Sequence, residues 1–162
     1  DAILWYMNTT HPLKVTCTGG KPQISEFEVP ETATITWEAP ENYFGVFTLG
    51  YKAMRYALYN DQKKEFHGDK ARFDVGREWW MVYPESNALE MKPNQENKQP
   101  GSFKFAGISH IRNFLECVKT RQEPNAPVEG GLATAIVLCM TLDSLRSGRR
   151  LRWNAQTRRV ES

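Results

Sequence analysis

The stretch HIRNFLECVKTRQEPNAPVEGGLATAIVLCMTLDSLRSGRRLRW, residues 110–153, decides the fold. It reads as two amphipathic helices with a proline-containing break between them, followed by a short basic strand. In the first helix Ile108, Ile111, Phe114, Leu115 and Val118 recur at the spacing that fills one face of a 3.6-residue period. Pro124 and Pro127 stop that helix, because each lacks an amide donor and disfavours helical backbone at the residue before it. Pro127 suits the first turn of a second helix, and Glu129 sets negative charge at that helix's positive end. Leu132, Ala135, Ile136, Cys139, Leu142 and Leu145 make the second stripe, with Gly148 placed to end it. The two stripes together form a docking pair for a sheet.

Upstream of this pair the period changes to two. Leu13, Val15 and Cys17 alternate with Lys14 and Thr16, and Ala33, Ile35 and Trp37 alternate with Thr34, Thr36 and Glu38. Phe44, Val46 and Thr48 follow, then residues 54–59, 72–75 and 79–83. Alternation of this kind, rich in Thr, Val and aromatic residues, predicts half-buried antiparallel strands. Turn chemistry separates them at Gly19-Gly20-Lys21-Pro22, Pro40-Glu41-Asn42, His67-Gly68-Asp69-Lys70 and Val75-Gly76-Arg77. The polar run KPNQENKQPG, residues 92–101, reads as a mobile loop. Strands followed by helices predict an α+β fold, an open, largely antiparallel sheet with the helices packed on one face.

The other face of that sheet is the first place to look for function. Trp37, Phe44, Phe47, Tyr51, Tyr56, Tyr59, Phe73, Trp79, Trp80 and Tyr83 are more aromatic than one layer of helix needs. Trp79 and Trp80 are adjacent, so in a strand they point to opposite faces. Trp37, Trp79 and Trp80 are therefore candidate residues of a subunit interface, since aromatics are enriched in interface cores and large apolar patches seldom stay exposed. Stacking of a sugar on a tryptophan and simple core packing are the competing readings.

With 162 residues, 40% hydrophobic and 25% charged, the chain has the size and composition of one globular domain. Its net charge of +2 argues against a polyanionic partner such as nucleic acid. Arg146, Arg149, Arg150, Arg152, Arg158 and Arg159 read instead as a helix terminus and a charged edge strand. The longest apolar run, around residues 133–140, is short for a membrane span, and no signal peptide is visible. Cys17, Cys117 and Cys139 are widely spaced and read as small buried hydrophobes under reducing conditions; the expected compartment is cytoplasmic, with export as the alternative. His11, His67 and His110 are scattered, so no metal site is expected. No Gly-x-Gly-x-x-Gly run occurs, and Gly19-Gly20 and Gly130-Gly131 have the wrong spacing for a dinucleotide turn.

Three segments in order along the chain resemble the Gfo/Idh/MocA oxidoreductases, which use a nicotinamide cofactor on sugars, cyclitols and related polyols. The helical pair with its LRSGRRLRW tail is similar to that family's closing segment. FHGDKARFDVGREWWMVYPE, residues 66–85, is similar to its strand, Gly-x-Lys-Gly turn, strand, with Ala71 where the second glycine is usual. DAILWYMNTTHPLKVTCTGG, residues 1–20, resembles the stretch after the family's catalytic histidine, with Asp1 as the Asp of its Gly-x-His-x-x-Asp run and Trp5 as the following aromatic. The resemblance implies that residues 1–162 are a single C-terminal domain on the substrate and oligomerisation side of a longer dehydrogenase. It places the NAD- or NADP-binding half, the Glu-Lys-Pro run with the catalytic lysine, and the Asp-x-x-x-His pair before Asp1. No catalytic residue is then expected within this chain, and no cofactor bound by it alone.

Tyr59, Asn60, Asp61 and Gln62 resemble the Tyr-Asp-Gln-Arg-like stretch that leans over the substrate in relatives, with Asn60 at the position that often carries the tyrosine. Such side chains both donate and accept hydrogen bonds, as hydroxyl-rich ligands require, but Asn and Asp equally favour a polar turn. His110 reads as a surface or capping residue. Two functions remain open: one wall of the pocket of an NAD(P)-dependent sugar or polyol oxidoreductase, which is also a homo-oligomer, or a non-catalytic sheet-mediated dimerisation module.

Overall fold

A computed structural model describes residues 1–22, 26–50, 63–86 and 90–161. The expected strand over residues 54–59, the candidate substrate residues Tyr59, Asn60, Asp61 and Gln62, and the aromatics Tyr51 and Tyr56 lie outside the described residues. The chain is α+β, with antiparallel strand pairing throughout the described sheets. Those strands form two sheets, and the chain divides into two compact units, Asp1–Met54 with Ala126–Ser162 and Arg55–Asn125.

The first unit contains α1 (Ala2–Tyr6), β1 (Lys14–Gly19), β2 (Thr32–Glu38) and β3 (Phe44–Gly50). The long helix of residues Val128–Ser147, here α3, and two strands from the chain's end, β8 (Leu151–Asn154) and β9 (Arg159–Glu161), complete it. Its sheet runs β3-β2-β1-β8-β9. Register explains its core. Leu151, Val15, Trp37 and Gly45 stand opposite one another across four strands, so they share one face. On that face Leu4, Val15, Trp37, Ala133, Met140 and Leu151 form one buried cluster. Gly45 is required there, because a Cβ would run into the Trp37 ring. Asn42, at φ +61, makes the tight β2–β3 turn.

Three expectations are corrected here. Trp37 is only 5% exposed and belongs to this core, because its strand position pairs it with Val15 under the helix, not with the free face. The buried side of α3 is Ala133, Met140 and Ser144, with Ile136 and Val137 partly buried, and Cys139 is exposed. The helix is apolar on nearly every side, so its spacing cannot select a face; a polar clamp does. The Ser144 hydroxyl accepts from the Cys17 amide at 2.9 Å and donates to the Arg149 carbonyl at 2.6 Å, tying helix, sheet and the chain beyond Gly148 together. Gly148, at φ +65, caps the helix as its position predicts. By length and composition α3 could cross a membrane, a point that the short apolar run obscured; one side of it packs on β1.

The second unit contains β4 (Lys64–His67), β5 (Ala71–Val75), β6 (Trp79–Pro84), β7 (Gln95–Lys98) and α2 (Phe103–Thr120). Its sheet follows chain order. The Gly68 and Gly76 amides close the two tight turns onto the carbonyls of Ala71 and Trp79. β7 falls inside the run expected to be a loop, since Gln95–Lys98 pairs with β6 through its backbone and its polar side chains suit a sheet edge. Helix α2 forms where the periodicity predicts it and ends on Arg121 in the left-handed region. Its stripe is exposed, from 47% at Val118 to 60% at Ile111.

Candidate functional site

Three polar arrangements stand out among the described residues, two in the first unit and one in the second. In the first unit the outer sheet face follows from strand parity: every residue opposite in phase to Val15 and Trp37 points away from α3. Cross-strand rows there are Lys14, Glu38 and Phe44; Thr16, Thr36 and Val46; and Thr18, Thr34 and Thr48. Lys14, Thr16, Thr36, Trp37, Glu38, Phe44 and Arg150 line an open groove of about 300 Å³. Lys14 reaches the Glu38 carboxylate at 3.0 Å, and Arg150 pairs with the same carboxylate. One carboxylate thus meets two cations. Phe44, 63% exposed, forms an apolar wall beside the threonine hydroxyls. The groove can bind by hydrogen bonding and apolar contact.

At one edge of the same unit a relay of hydroxyls fixes the segment after α1. Thr9, 5% exposed, donates to the Glu41 carboxylate at 2.9 Å, so its single proton is committed and Tyr43 donates to it, also at 2.9 Å. The indole N–H of Trp37 completes the line at 3.4 Å from the Tyr43 oxygen. Asp1 caps α1, accepting from the Ala2 amide at 2.6 Å, and Leu4 anchors the helix in the core. Trp5 and Tyr6 remain exposed on it, with ring centroids 5.2 Å apart.

The second unit carries a charged ladder. Glu65, Asp74 and Met81 are cross-strand neighbours, as are His67, Arg72 and Tyr83, all on one face of the four-stranded sheet. Asp74 is buried, and Arg72 forks onto its two oxygens at 2.8 and 3.2 Å while stacking 4.6 Å from the Tyr83 ring centroid. Lys63 pairs with Glu65 and lies 3.7 Å from Asp74, and His67 meets Glu65 at 2.9 Å. The hydrogen bond between them raises the Lys63 ammonium above its usual range and lowers the Glu65 carboxyl below its own. Burial pushes the Cys17 thiol up, so that sulfur is held as an inert thiol.

Trp79 and Trp80 do point to opposite faces. Trp79 shares the charged face with Met81 and Tyr83, where its ring lies against Gly76, whereas Trp80 makes a tilted ring contact with Phe73, which in turn makes one with Phe66. Both tryptophans are half-buried. The outer groove of the first unit escaped sequence reading because its lining comes from three strands and from Arg150, over a hundred positions away. The signal was present only as the alternation of Lys14, Thr16, Thr36 and Glu38 with apolar partners.

No group of three metal-ligating side chains occurs among the described residues. Those residues also do not fit a dinucleotide. Helix α3 opens from an extended Pro127 and α2 follows β7 through a turn with a single glycine, so no strand runs through a Gly-rich phosphate cradle into a helix.

No protein-family model and no curated protein matches the sequence. Solved structures do share its fold. An aldose-aldose oxidoreductase from Caulobacter crescentus, complexed with glycerol, superposes with a TM-score of 0.68 at 17% identity, over 93% of this chain and 44% of its own length. An oxidoreductase from Agrobacterium radiobacter, in complex with NAD+, L-tartaric acid and magnesium, gives 0.67 at 10% identity, over 92% and 45%. The UDP-N-acetylglucosamine 3-dehydrogenase of Acidithiobacillus ferrooxidans gives 0.64 at 12%, over 90% and 44%. The chain therefore has a fold found in oxidoreductases and spans less than half the length of these structures. The Gfo/Idh/MocA resemblance holds at the level of fold.

Proposed function

We propose that this chain is the substrate-side domain of a longer NAD(P)-dependent oxidoreductase acting on a sugar, cyclitol or similar polyol. The observation that carries the reading is the superposition of nine-tenths of the chain on under half of oxidoreductases whose names specify an aldose and a nucleotide sugar. In that arrangement the cofactor is held by the other half of the polypeptide, and this domain contributes one wall of the pocket, with Tyr59, Asn60, Asp61 and Gln62 as its candidate substrate contacts. A cytoplasmic location goes with this chemistry. The test is to express the full-length protein and follow reduction of NAD and NADP against a panel of aldoses, inositols and sugar nucleotides. Saturable polyol-dependent reduction is expected. Activity with neither cofactor on any member of the panel would leave the dimerisation module as the better reading.

We also propose self-association through the outer face of the five-stranded sheet. Phe44 and Val46 are 63% and 53% exposed on that face, amid threonines and the Lys14–Glu38–Arg150 cluster, while the tryptophan expected there is buried beneath it. Identical chains pair by default about a two-fold axis, which lets one patch serve both partners, and a stable contact normally buries more than about 1,000 Å². Sedimentation equilibrium at micromolar concentration should show a dimer or higher species that Val46→Lys dissociates. A monomeric wild-type chain overturns this interface.

A further inference from the structure

We draw no further inference here: the strongest candidate, the exposed apolar stripe of α2 formed by Phe105, Ile108, Ile111, Phe114, Leu115 and Val118, is an unpartnered helix face, and nothing in the structure shows what covers it.

Discussion

Trp37 and Trp80 both stand within antiparallel sheets, flanked by paired strands on either side, yet Trp37 is buried and Trp80 stays half-exposed beside Phe73. The five-stranded sheet has a helix laid along one face, so apolar side chains from β1, β2, β8, α1 and α3 meet in one cluster. The four-stranded sheet has an aromatic row on one face and a ladder of paired charges on the other, with only Asp74 and Val75 of its strands fully buried. Apolar burial contributes roughly 25 cal/mol per Å², whereas partly exposed ion pairs contribute about 0–1 kcal/mol each. The comparison teaches that regular strand pairing alone does not make two sheets equally robust. What covers a face matters more.

The largest effect that separates the two units should come from Trp37→Ala. Removing a buried indole costs about 3–5 kcal/mol, and here it also opens space over Gly45 and breaks the Trp37–Tyr43–Thr9 line. Urea unfolding followed by circular dichroism should show that loss, with amide exchange accelerating in β1 and β2 while β5 keeps its protection. Equal acceleration in both sheets would mean that the units are not energetically distinct.

A smaller effect, about 1–3 kcal/mol, is expected from Ser144→Ala, since the Cys17 amide and the Arg149 carbonyl would each lose a buried partner. The Cys17 amide is the sensitive probe, and its exchange rate should rise more than that of Val15. If the substitution leaves both rates unchanged, the clamp does not set the seating of α3.

The smallest effect belongs to the second unit and depends on pH. Glu65 has its carboxyl lowered in the folded state, so its contribution is fully present above 4.5 and is lost as pH falls through the depressed folded value. Lys63 is raised, so its contribution is fully present below 10.5 and is lost as pH rises through the elevated folded value. Both side chains are about a third exposed, which limits each contribution to roughly 1 kcal/mol or less. Protection of the β4 amides, taken relative to the intrinsic exchange rate at each pH, should therefore be greatest between these limits, and Lys63→Met should abolish the dependence at the alkaline end. A flat profile in β4 would remove the ladder from the account of this sheet.

Elements whose signals are local are legible in the chain alone. The spacing of Ile108, Ile111, Leu115 and Val118 predicts α2, Gly148 ends α3, the alternation of Val15, Cys17, Ile35 and Trp37 predicts β1 and β2, and Gly68 and Gly76 mark tight turns. The order of three short motifs was also enough to anticipate an α+β fold shared with oxidoreductases. Helix-forming periods, turn geometry and cap preferences act over a few residues, so one strand of text carries them. Which face of each element is covered depends on long-range packing. Residues Leu132 and Cys139 fit the α3 stripe as well as Ala133 and Met140 do, until the Ser144 hydroxyl meets the Cys17 amide across 127 positions. Trp37 looks like an interface residue until its register sets it beside Val15 beneath that helix. Gln95–Lys98 looks like a loop until β6 offers it a backbone ladder. In each case the deciding interaction joins distant parts of the chain, and its free energy depends on a neighbour that local sequence does not name.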